Sequence, residues 1–205
     1  MDLAETYDRI AEDWHNDHGM DDWWQEGTDV FIQRLTPGSR VLDVGCGSGI
    51  KSKYLTDHGL CVTGVDISRK FLDIARTVAP DATFVLGSMQ DIKSVAGTFE
   101  AVFAQASLLH IPRKDAPEVV REMASKVEPS GLLYLAVKEQ REGNPSEEVR
   151  KEDDYGYEYE RFFSYFTLED LISYLTDAGL SVVWQDRKQS GGTVWLQIIG
   201  QKPNK

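Results

Sequence analysis

The sequence contains only two cysteines, Cys46 and Cys61, among its 205 residues. Two thiols provide neither a disulfide framework nor the second pair of ligands that a cysteine-based metal site needs, so we expect no metal. A chain of this length buries roughly 70% of the surface that its unfolded form exposes, and the core needs no such support. The low cysteine content is typical of a reducing compartment, and we expect a cytoplasmic protein.

Long apolar runs are also absent. No stretch approaches the roughly 18 apolar residues of a membrane-spanning helix. The first ten residues are acidic and lack the apolar block of a signal peptide. We therefore expect a soluble protein with no membrane partner.

Positive charge is scarce, because 22 Lys and Arg face 34 Asp and Glu, which gives a formal net charge of -12. An electrostatic field of that sign repels nucleic-acid phosphates and anionic lipids. This balance disfavours a nucleic-acid partner. The composition, 41% hydrophobic and 27% charged, is that of a globular chain, and the length predicts one domain over residues 1–205.

Short β-branched runs alternate with longer amphipathic segments from residue 40 onward. This alternation predicts an α/β fold, a doubly wound and mostly parallel seven-stranded sheet with crossover helices. The predicted strands are Arg40 to Val44, Cys61 to Val65, Thr83 to Leu86, Ala101 to Ala104, Leu132 to Val137, Leu180 to Arg187 and Thr193 to Gly200. The predicted helices between them are Gly49 to Asp57, Arg69 to Val78, Lys114 to Val127 and Thr167 to Ala178, with a short turn at Asp91 to Val95.

The C-terminal strands are joined through Ser190, Gly191 and Gly192, and so short a connection predicts an antiparallel hairpin at the edge of the sheet. The helix before them begins with a capping box of Thr167 and Asp170.

Two segments lie outside this alternation. Apolar residues at steps of four, three and four near the N-terminus predict an amphipathic helix, and a second helix is predicted over Trp23 to Leu35, so that residues 1–37 form N-terminal lid helices. Residues 144–165 lack clear periodicity, which is typical of a functional lid or a mobile loop, and we predict a substrate lid over 138–166. The alternating tyrosines at 155, 157 and 159 fit equally well a strand with one solvated face.

The strongest local signal is the run from Asp43 to Gly49, in which a buried strand leads into three alternating glycines and then a helix. Glycines there allow a sharp turn and a close approach of backbone to ligand. Ile50 stands where a dinucleotide fingerprint requires its third glycine, and Asp43 adds a negative charge before the turn. The run also lacks the Lys and Ser or Thr spacing of a P-loop, so both phosphate sites are disfavoured.

A second acid, Asp66, ends the next predicted strand about twenty residues after the glycines, the distance at which an acid reaches ribose hydroxyls. Together with Asp43 it suits a ligand with a positive end and a ribose diol, and S-adenosylmethionine has both features and no phosphate. The alternative is that both acids merely cap loops.

With these motifs the chain resembles the class I, seven-stranded S-adenosylmethionine-dependent methyltransferases, in the style of the type 11 group that includes the ubiquinone and menaquinone biosynthesis methyltransferases. The resemblance covers about residues 7–201. It implies a cofactor site of Asp43, Gly45, Cys46, Gly47, Gly49, Asp66, Ile67, Ser88, Met89 and Gln105. Within it, the glycine turn faces the methionine moiety, Asp66 holds the ribose, and Ile67 lies beside the adenine.

The sequence departs from the family pattern at two positions. Ser88 replaces the acid that usually accepts the adenine amine, so this contact is expected to shift to the Met89 backbone or to Asp91, which could equally cap the short helix. The family often shows a pair of histidines after the fourth strand, and here Leu109 precedes a single His110.

The expected catalytic residues are His110, Tyr7 and Arg161. His110 could act as a general base or could only fix its loop. Tyr7 and Trp14 could stabilise the sulfonium through their rings or form only the buried stripe of the helix. Arg161, in the predicted lid, would clamp a substrate carboxylate or phosphate.

The predicted function is methyl transfer from S-adenosylmethionine to a nucleophile on a small metabolite. This reaction needs alignment more than it needs a base. The alternatives are a tRNA or protein methyltransferase, a non-catalytic S-adenosylmethionine-binding protein and, least favoured, a nicotinamide dehydrogenase. The sequence identifies neither the acceptor nor the oligomeric state, and it leaves the roles of Trp23 and Trp24 open.

Overall fold

The computed structural model describes residues 2–204 and contains nine strands and six α-helices in that range. The strands are β1 (Arg40–Val44), β2 (Cys61–Asp66), β3 (Thr83–Leu86), β4 (Phe99–Gln105), β5 (Val127–Lys138), β6 (Glu147–Glu152), β7 (Tyr159–Ser164), β8 (Ser181–Ser190) and β9 (Thr193–Gln201). The helices are α1 (Leu3–His18), α2 (Gln25–Ile32), α3 (Ile50–Asp57), α4 (Arg69–Val78), α5 (Ala116–Lys126) and α6 (Leu168–Asp177), with short 3₁₀ turns at Met89–Ser94 and Leu108–His110.

Seven strands form one sheet in the order β3-β2-β1-β4-β5-β9-β8, with parallel pairing from β3 through to β5. Strand β9 runs antiparallel to both β5 and β8. The predicted fold class and C-terminal hairpin are confirmed. The hairpin does not add an antiparallel edge, however, because β9 inserts beside β5 and the outer strand β8 again runs parallel to the rest.

Helices cover both faces of the sheet, as a doubly wound fold requires. On one face, Val120 of α5 and Leu171 of α6 are fully buried in the larger apolar cluster. On the other, Phe31 of α2 and Leu55 of α3 pack against Phe103 of β4. The carboxyl ends of β1, β2 and β4 therefore meet at one edge between the two helical layers, where an open α/β sheet binds its ligands.

The local signals at helix ends are also confirmed. Thr167 and Asp170 form the capping box at the start of α6. Helix α2 is shorter than predicted at both ends, and the indole of Trp24, its N-cap residue, donates to the carbonyl of Asp21 at 2.6 Å.

Residues 144–165 are not irregular, which corrects the sequence interpretation. Strands β6 and β7 pair antiparallel as a separate two-stranded sheet, with Glu147 opposite Ser164 and Glu152 opposite Tyr159. The alternative of a strand formed by the alternating tyrosines is confirmed only for Tyr159, which begins β7, because Tyr155 and Tyr157 lie in the turn before it. The hairpin meets the main sheet through an isolated bridge between Glu139 and Phe166.

Helix α1 packs across the ligand-binding edge and contacts both α4 and the β6–β7 hairpin. The Asp8 carboxylate accepts from the Ser68 hydroxyl at 2.6 Å and from the Lys70 N–H at 3.1 Å at the start of α4. At the hairpin, the Arg9 guanidinium donates to the carbonyl of Glu158 at 3.0 Å. The N-terminal helix is thus anchored on both sides of the site.

No helix among residues 2–204 combines the length and the apolar character needed to cross a membrane.

Candidate cofactor and acceptor site

A cavity of about 570 Å³ lies at the carboxyl ends of the central strands, beneath α1 and beside β7. Its volume is in the usual range of small-molecule sites. Of the predicted cofactor residues, it is lined by Gly45, Cys46, Asp66, Ile67, Ser88, Met89 and Gln105. All three predicted catalytic residues, Tyr7, His110 and Arg161, also line it.

The glycine-rich turn has positive φ at all three glycines and passes close to Ser107, which explains its composition. Gly45 has φ of +76°, and a Cβ there would lie 2.3 Å from Cβ of Ser107. The Ser107 hydroxyl in turn donates to the carbonyl of Val44 at 2.7 Å and holds the end of β4 against the turn. Ala106 carries a φ of +55°, so the backbone is strained where it passes the cavity.

Asp66 is the acid at the centre of the site. Its carboxylate is 9% exposed and accepts from the N–H of Gly47 at 2.8 Å and of Ser68 at 2.9 Å. Burial raises the pKa of Asp66 to about 6, although these N–H donors favour the charged form. The carboxylate connects the glycine turn to the start of α4, and Asp66 lines the cavity.

Asp43, Gly47 and Gly49 do not line this cavity, and their contact with the cofactor stays a prediction. Asp43 is 2% exposed and accepts from the Ser52 hydroxyl at 2.6 Å, and burial raises its pKa to about 6. Gly49, with φ of +80°, begins α3. All three residues contribute to the structure of the turn between β1 and α3.

The residues that follow β3 have other roles than the sequence predicted. The Ser88 side chain accepts from the N–H of Gln90 at 3.1 Å and caps the 3₁₀ turn, so Ser88 is the capping residue and Asp91 is not. Asp91 is exposed and does not line the cavity. Ser88 and Met89 remain at the wall, beside Asp66.

His110 is held by hydrogen bonds at both ring nitrogens. Nδ1 donates to the carbonyl of Phe162 at 2.8 Å, which leaves Nε2 to accept from the Tyr7 hydroxyl at 2.6 Å. Burial is the main cause that lowers the pKa of His110 to about 3, with the nearby Arg161 and Lys138 adding to the shift. Burial also raises the pKa of Tyr7 to about 12. The imidazole is neutral, and both of its nitrogens already form hydrogen bonds within the protein. This arrangement argues against the general-base hypothesis.

Arg161 is paired within its own hairpin. Its Nε and Nη2 donate to the two carboxylate oxygens of Glu152 at 2.6 and 2.7 Å, and both side chains are nearly buried. The predicted substrate clamp is therefore already neutralised by a protein carboxylate.

Two lysines that line the cavity, Lys51 and Lys138, were not predicted as site residues from the sequence. Lys51 of α3 lies 5.4 Å from the ring centre of Trp24 and 5.7 Å from that of Trp14, and burial lowers its pKa. Lys138, at the end of β5, lies 4.2 Å from the ring centre of Phe163. The apolar run before Lys138 was the available signal, because a lysine that ends a buried parallel strand points toward the ligand-binding edge.

The rings of Trp23 and Trp195 stack with their centres 3.9 Å apart and also line the cavity, whereas Trp24 is a core residue.

Gln105 is 6% exposed, and neither polar atom of its side chain has a hydrogen-bond partner among the described residues. A buried amide without hydrogen-bond partners is unfavourable unless a bound ligand provides them.

These residues fit S-adenosylmethionine. Asp66 offers a carboxylate to a diol, Gln105 offers an unsatisfied amide, and the ring of Trp14 offers an apolar face to a cation. The carboxylate beside the glycine turn disfavours a ligand with phosphates at that position. Among residues 2–204, no group of three or more His, Cys, Asp or Glu side chains could hold a metal ion.

Comparison with known proteins agrees with this geometry. A family model described as a methyltransferase domain matches residues 41–131. The ubiquinone biosynthesis O-methyltransferase of Vibrio campbellii is 36% identical over 134 residues, which cover 56% of this chain and 56% of that relative. The chain thus matches little more than half the length of this curated relative.

Two solved structures share the fold over almost the whole chain. Magnesium protoporphyrin IX methyltransferase from Synechocystis PCC 6803 with bound SAH has a TM-score of 0.76 at 20% identity, covering 98% of each chain. The 1,6-didemethyltoxoflavin-N1-methyltransferase of Burkholderia thailandensis, with its substrate and S-adenosylhomocysteine bound, has a TM-score of 0.76 at 18% identity, covering 98% of this chain and 88% of its own. These similarities show that the chain shares the fold of solved S-adenosylmethionine-dependent methyltransferases and that residues 41–131 match a methyltransferase domain.

Proposed function

We propose that this protein transfers a methyl group from S-adenosylmethionine to a nucleophile on a small organic molecule. The observation that carries the proposal is one continuous cavity, with the buried Asp66 carboxylate and the glycine turn on one side and Lys138, Phe163 and Trp195 on the other. Methyl transfer requires both partners in line within one enclosed space.

On the cofactor side, Asp66 would accept hydrogen bonds from the ribose hydroxyls, and its own N–H donors fix its orientation. Ile67 and Met89 provide apolar surface for the adenine, while Gly45 and Cys46 let the methionine moiety approach the backbone. The sulfonium supplies an activated methyl group when the cofactor is bound. Tyr7 and Trp14 cover this region from α1.

On the acceptor side, the protein's contribution is positioning and exclusion of water. Leu109, Phe163 and Trp195 form an apolar wall. Helix α1 and the β6–β7 hairpin close over the cavity, and the hydrogen bond from the Tyr157 hydroxyl to Asp13 at 2.7 Å joins them. We therefore propose residues 138–166 and α1 as the cover of the acceptor.

A small molecule suits this enclosure better than a macromolecule does. The net charge of -12 disfavours RNA, and the cover limits access for a folded protein. The relatives and structural neighbours include methyltransferases that are named for small-molecule substrates. The two cysteine thiols, both unpaired, support a cytoplasmic location.

The proposal is tested by following the formation of S-adenosylhomocysteine from S-adenosylmethionine. Purified protein is supplied with either the dialysable fraction of a cell extract or the retained macromolecules. The proposal predicts formation that depends on the dialysable fraction and is lost in Asp66→Ala. Formation that depends only on the retained fraction would reject a small acceptor, and binding without turnover in either fraction would favour a non-catalytic binding protein.

A further inference from the structure

Three cations surround one aromatic ring at the acceptor end of the cavity. Lys138 Nζ lies 4.2 Å from the centre of the Phe163 ring, and the guanidinium carbons of Arg161 and Arg150 lie 5.2 and 5.9 Å from it. Arg150 and Arg161 occupy directly opposed positions of the β6–β7 hairpin. Like charges in that arrangement repel, so the structure must compensate them.

Two carboxylates provide most of that compensation. Glu152 pairs with Arg161 through both oxygens, and Glu148 lies 3.5 Å from Arg150. Lys138 has no carboxylate oxygen within 4.0 Å and no hydrogen-bond acceptor among the residues that the structure describes. One positive charge in the cluster therefore lacks an anionic partner, in a protein whose overall charge is strongly negative.

The position of Lys138 connects this charge to the ligand. Its side chain is half-buried, and Nζ lies 5.8 Å from the ring centre of Trp195. It lines the main cavity and also a neighbouring polar cavity of about 340 Å³. A molecule lying against Phe163 and Trp195 would place its polar end at this ammonium group.

We propose that the acceptor is a flat, largely apolar organic acid whose carboxylate binds Nζ of Lys138 and whose ring contacts Phe163 and Trp195. This inference rests on the proposed function and specifies its substrate class. It moves the anion-binding role from Arg161, which Glu152 neutralises, to Lys138. A charge-assisted hydrogen bond in a partly desolvated site provides both affinity and orientation.

The charged neighbours of Lys138 make the contact dependent on pH. Arg161, Arg150, Glu148 and Glu152 face it from the hairpin, and His110 lies nearby but is neutral. Burial and then the two arginines lower the pKa of Lys138 to about 8. Carboxylate binding should therefore weaken from pH 7 to pH 9, as the ammonium loses its proton.

The test compares binding of 4-methoxybenzoate with binding of its analogue 4-methoxybenzamide, which is neutral from pH 7 to pH 9, to protein saturated with S-adenosylhomocysteine. We expect the wild type to prefer the carboxylate by about tenfold or more, and Lys138→Met to lose that preference. Lys138→Arg should retain it and should keep it at pH 9. Lys53→Met is the matched control, because Lys53 is an exposed residue paired with Asp57 at 2.8 Å.

The inference is overturned if the wild type shows no preference or no binding of either probe, or if Lys138→Met keeps the preference. Should Lys138→Met fold poorly, the pH dependence of the wild type against Lys138→Arg decides the question. Titration of the same samples with S-adenosylhomocysteine separates the two proposals. Absence of that binding in the wild type rejects the proposed function, whereas normal binding without carboxylate preference rejects only the substrate class.

Discussion

The hydroxyl of Tyr7 lies 2.6 Å from Nε2 of His110, and this contact connects helix α1 to the loop after β4. The other ring nitrogen donates to the carbonyl of Phe162, so the connection continues into the β6–β7 hairpin. A neutral imidazole thus joins the two elements that cover the cavity. We expect this imidazole to hold the proposed cover in place and to position Tyr7.

Tyr7→Phe should loosen α1 without changing the rest of the fold. The substitution removes the donor to a buried ring nitrogen, and an unsatisfied buried acceptor costs about 1–3 kcal/mol. We expect faster hydrogen exchange over residues 3–18 and faster dissociation of S-adenosylhomocysteine. Tyr54→Phe, which removes a 2.7 Å bond to Asp29, is the control and should leave exchange in α1 unchanged. Unchanged exchange in Tyr7→Phe would show that the contact does not hold the cover.

Asp66→Asn should weaken the binding of S-adenosylhomocysteine by about 10- to 100-fold at pH 7.5, because hydrogen bonds to a charged acceptor contribute about 1.5–3 kcal/mol. The pKa of Asp66 is about 6 in the free protein. Its carboxylate is therefore charged above pH 6 and protonated below it, so wild-type affinity should rise between pH 5 and pH 7.5. Calorimetry over this range provides the check. An equally steep rise in Asp66→Asn would assign the titration to another group.

Gly45→Ala should be far more damaging than Gly156→Ala. Both glycines have positive φ, at +76° and +80°. Only at Gly45 would the new Cβ meet another residue, Ser107, whereas at Gly156 nothing lies within 4 Å. We expect about 1 kcal/mol of destabilisation at Gly156 and at least about 2 kcal/mol more at Gly45, with loss of cofactor binding. Equal denaturation midpoints for the two variants would contradict this account of the turn.

Gln105→Leu should leave the free protein as stable as the wild type or stabilise it, while weakening ligand binding. Both polar atoms of Gln105 are buried without a hydrogen-bond partner among residues 2–204, so the leucine variant removes an unfavourable group. Gln197→Leu is the contrast: Nε2 of Gln197 also has no partner in the described part of the chain, but Oε1 accepts from the Tyr134 hydroxyl at 2.5 Å, and losing this bond should destabilise the protein. Thermal melts with and without S-adenosylhomocysteine measure both effects. A destabilised Gln105→Leu with normal binding would assign Gln105 to the core.

The sequence predicted the main sheet, the capping box at Thr167 and the glycine turn because each depends on local chemistry. It did not predict β6, whose residues are Glu, Glu, Val, Arg, Lys and Glu. That strand has no apolar face, and its pairing depends on β7 and on ion pairs such as Arg161 with Glu152. Local pattern carries no information about such contacts.

In the candidate site, too, some features follow from local sequence and others depend on contacts between distant residues. Asp66 and Gly45 follow from motif spacing, whereas the pairing of His110 with Tyr7 joins residues 103 positions apart. The lack of a carboxylate partner for Lys138 depends on where strand β6 places Glu148 and Glu152. Asp43 was expected to face the ligand because of its spacing, but its buried carboxylate accepts from the Ser52 hydroxyl at 2.6 Å and does not line the cavity.

Transfer of label from methyl-labelled S-adenosylmethionine tests the central claim most directly. Purified protein is incubated with whole-cell extract, and the label is then separated into dialysable compounds, RNA and protein, with Asp66→Ala run in parallel. The account predicts label in one or a few dialysable compounds that is absent with the variant. Label on RNA or protein alone, or no transfer while S-adenosylhomocysteine binds normally, would contradict it.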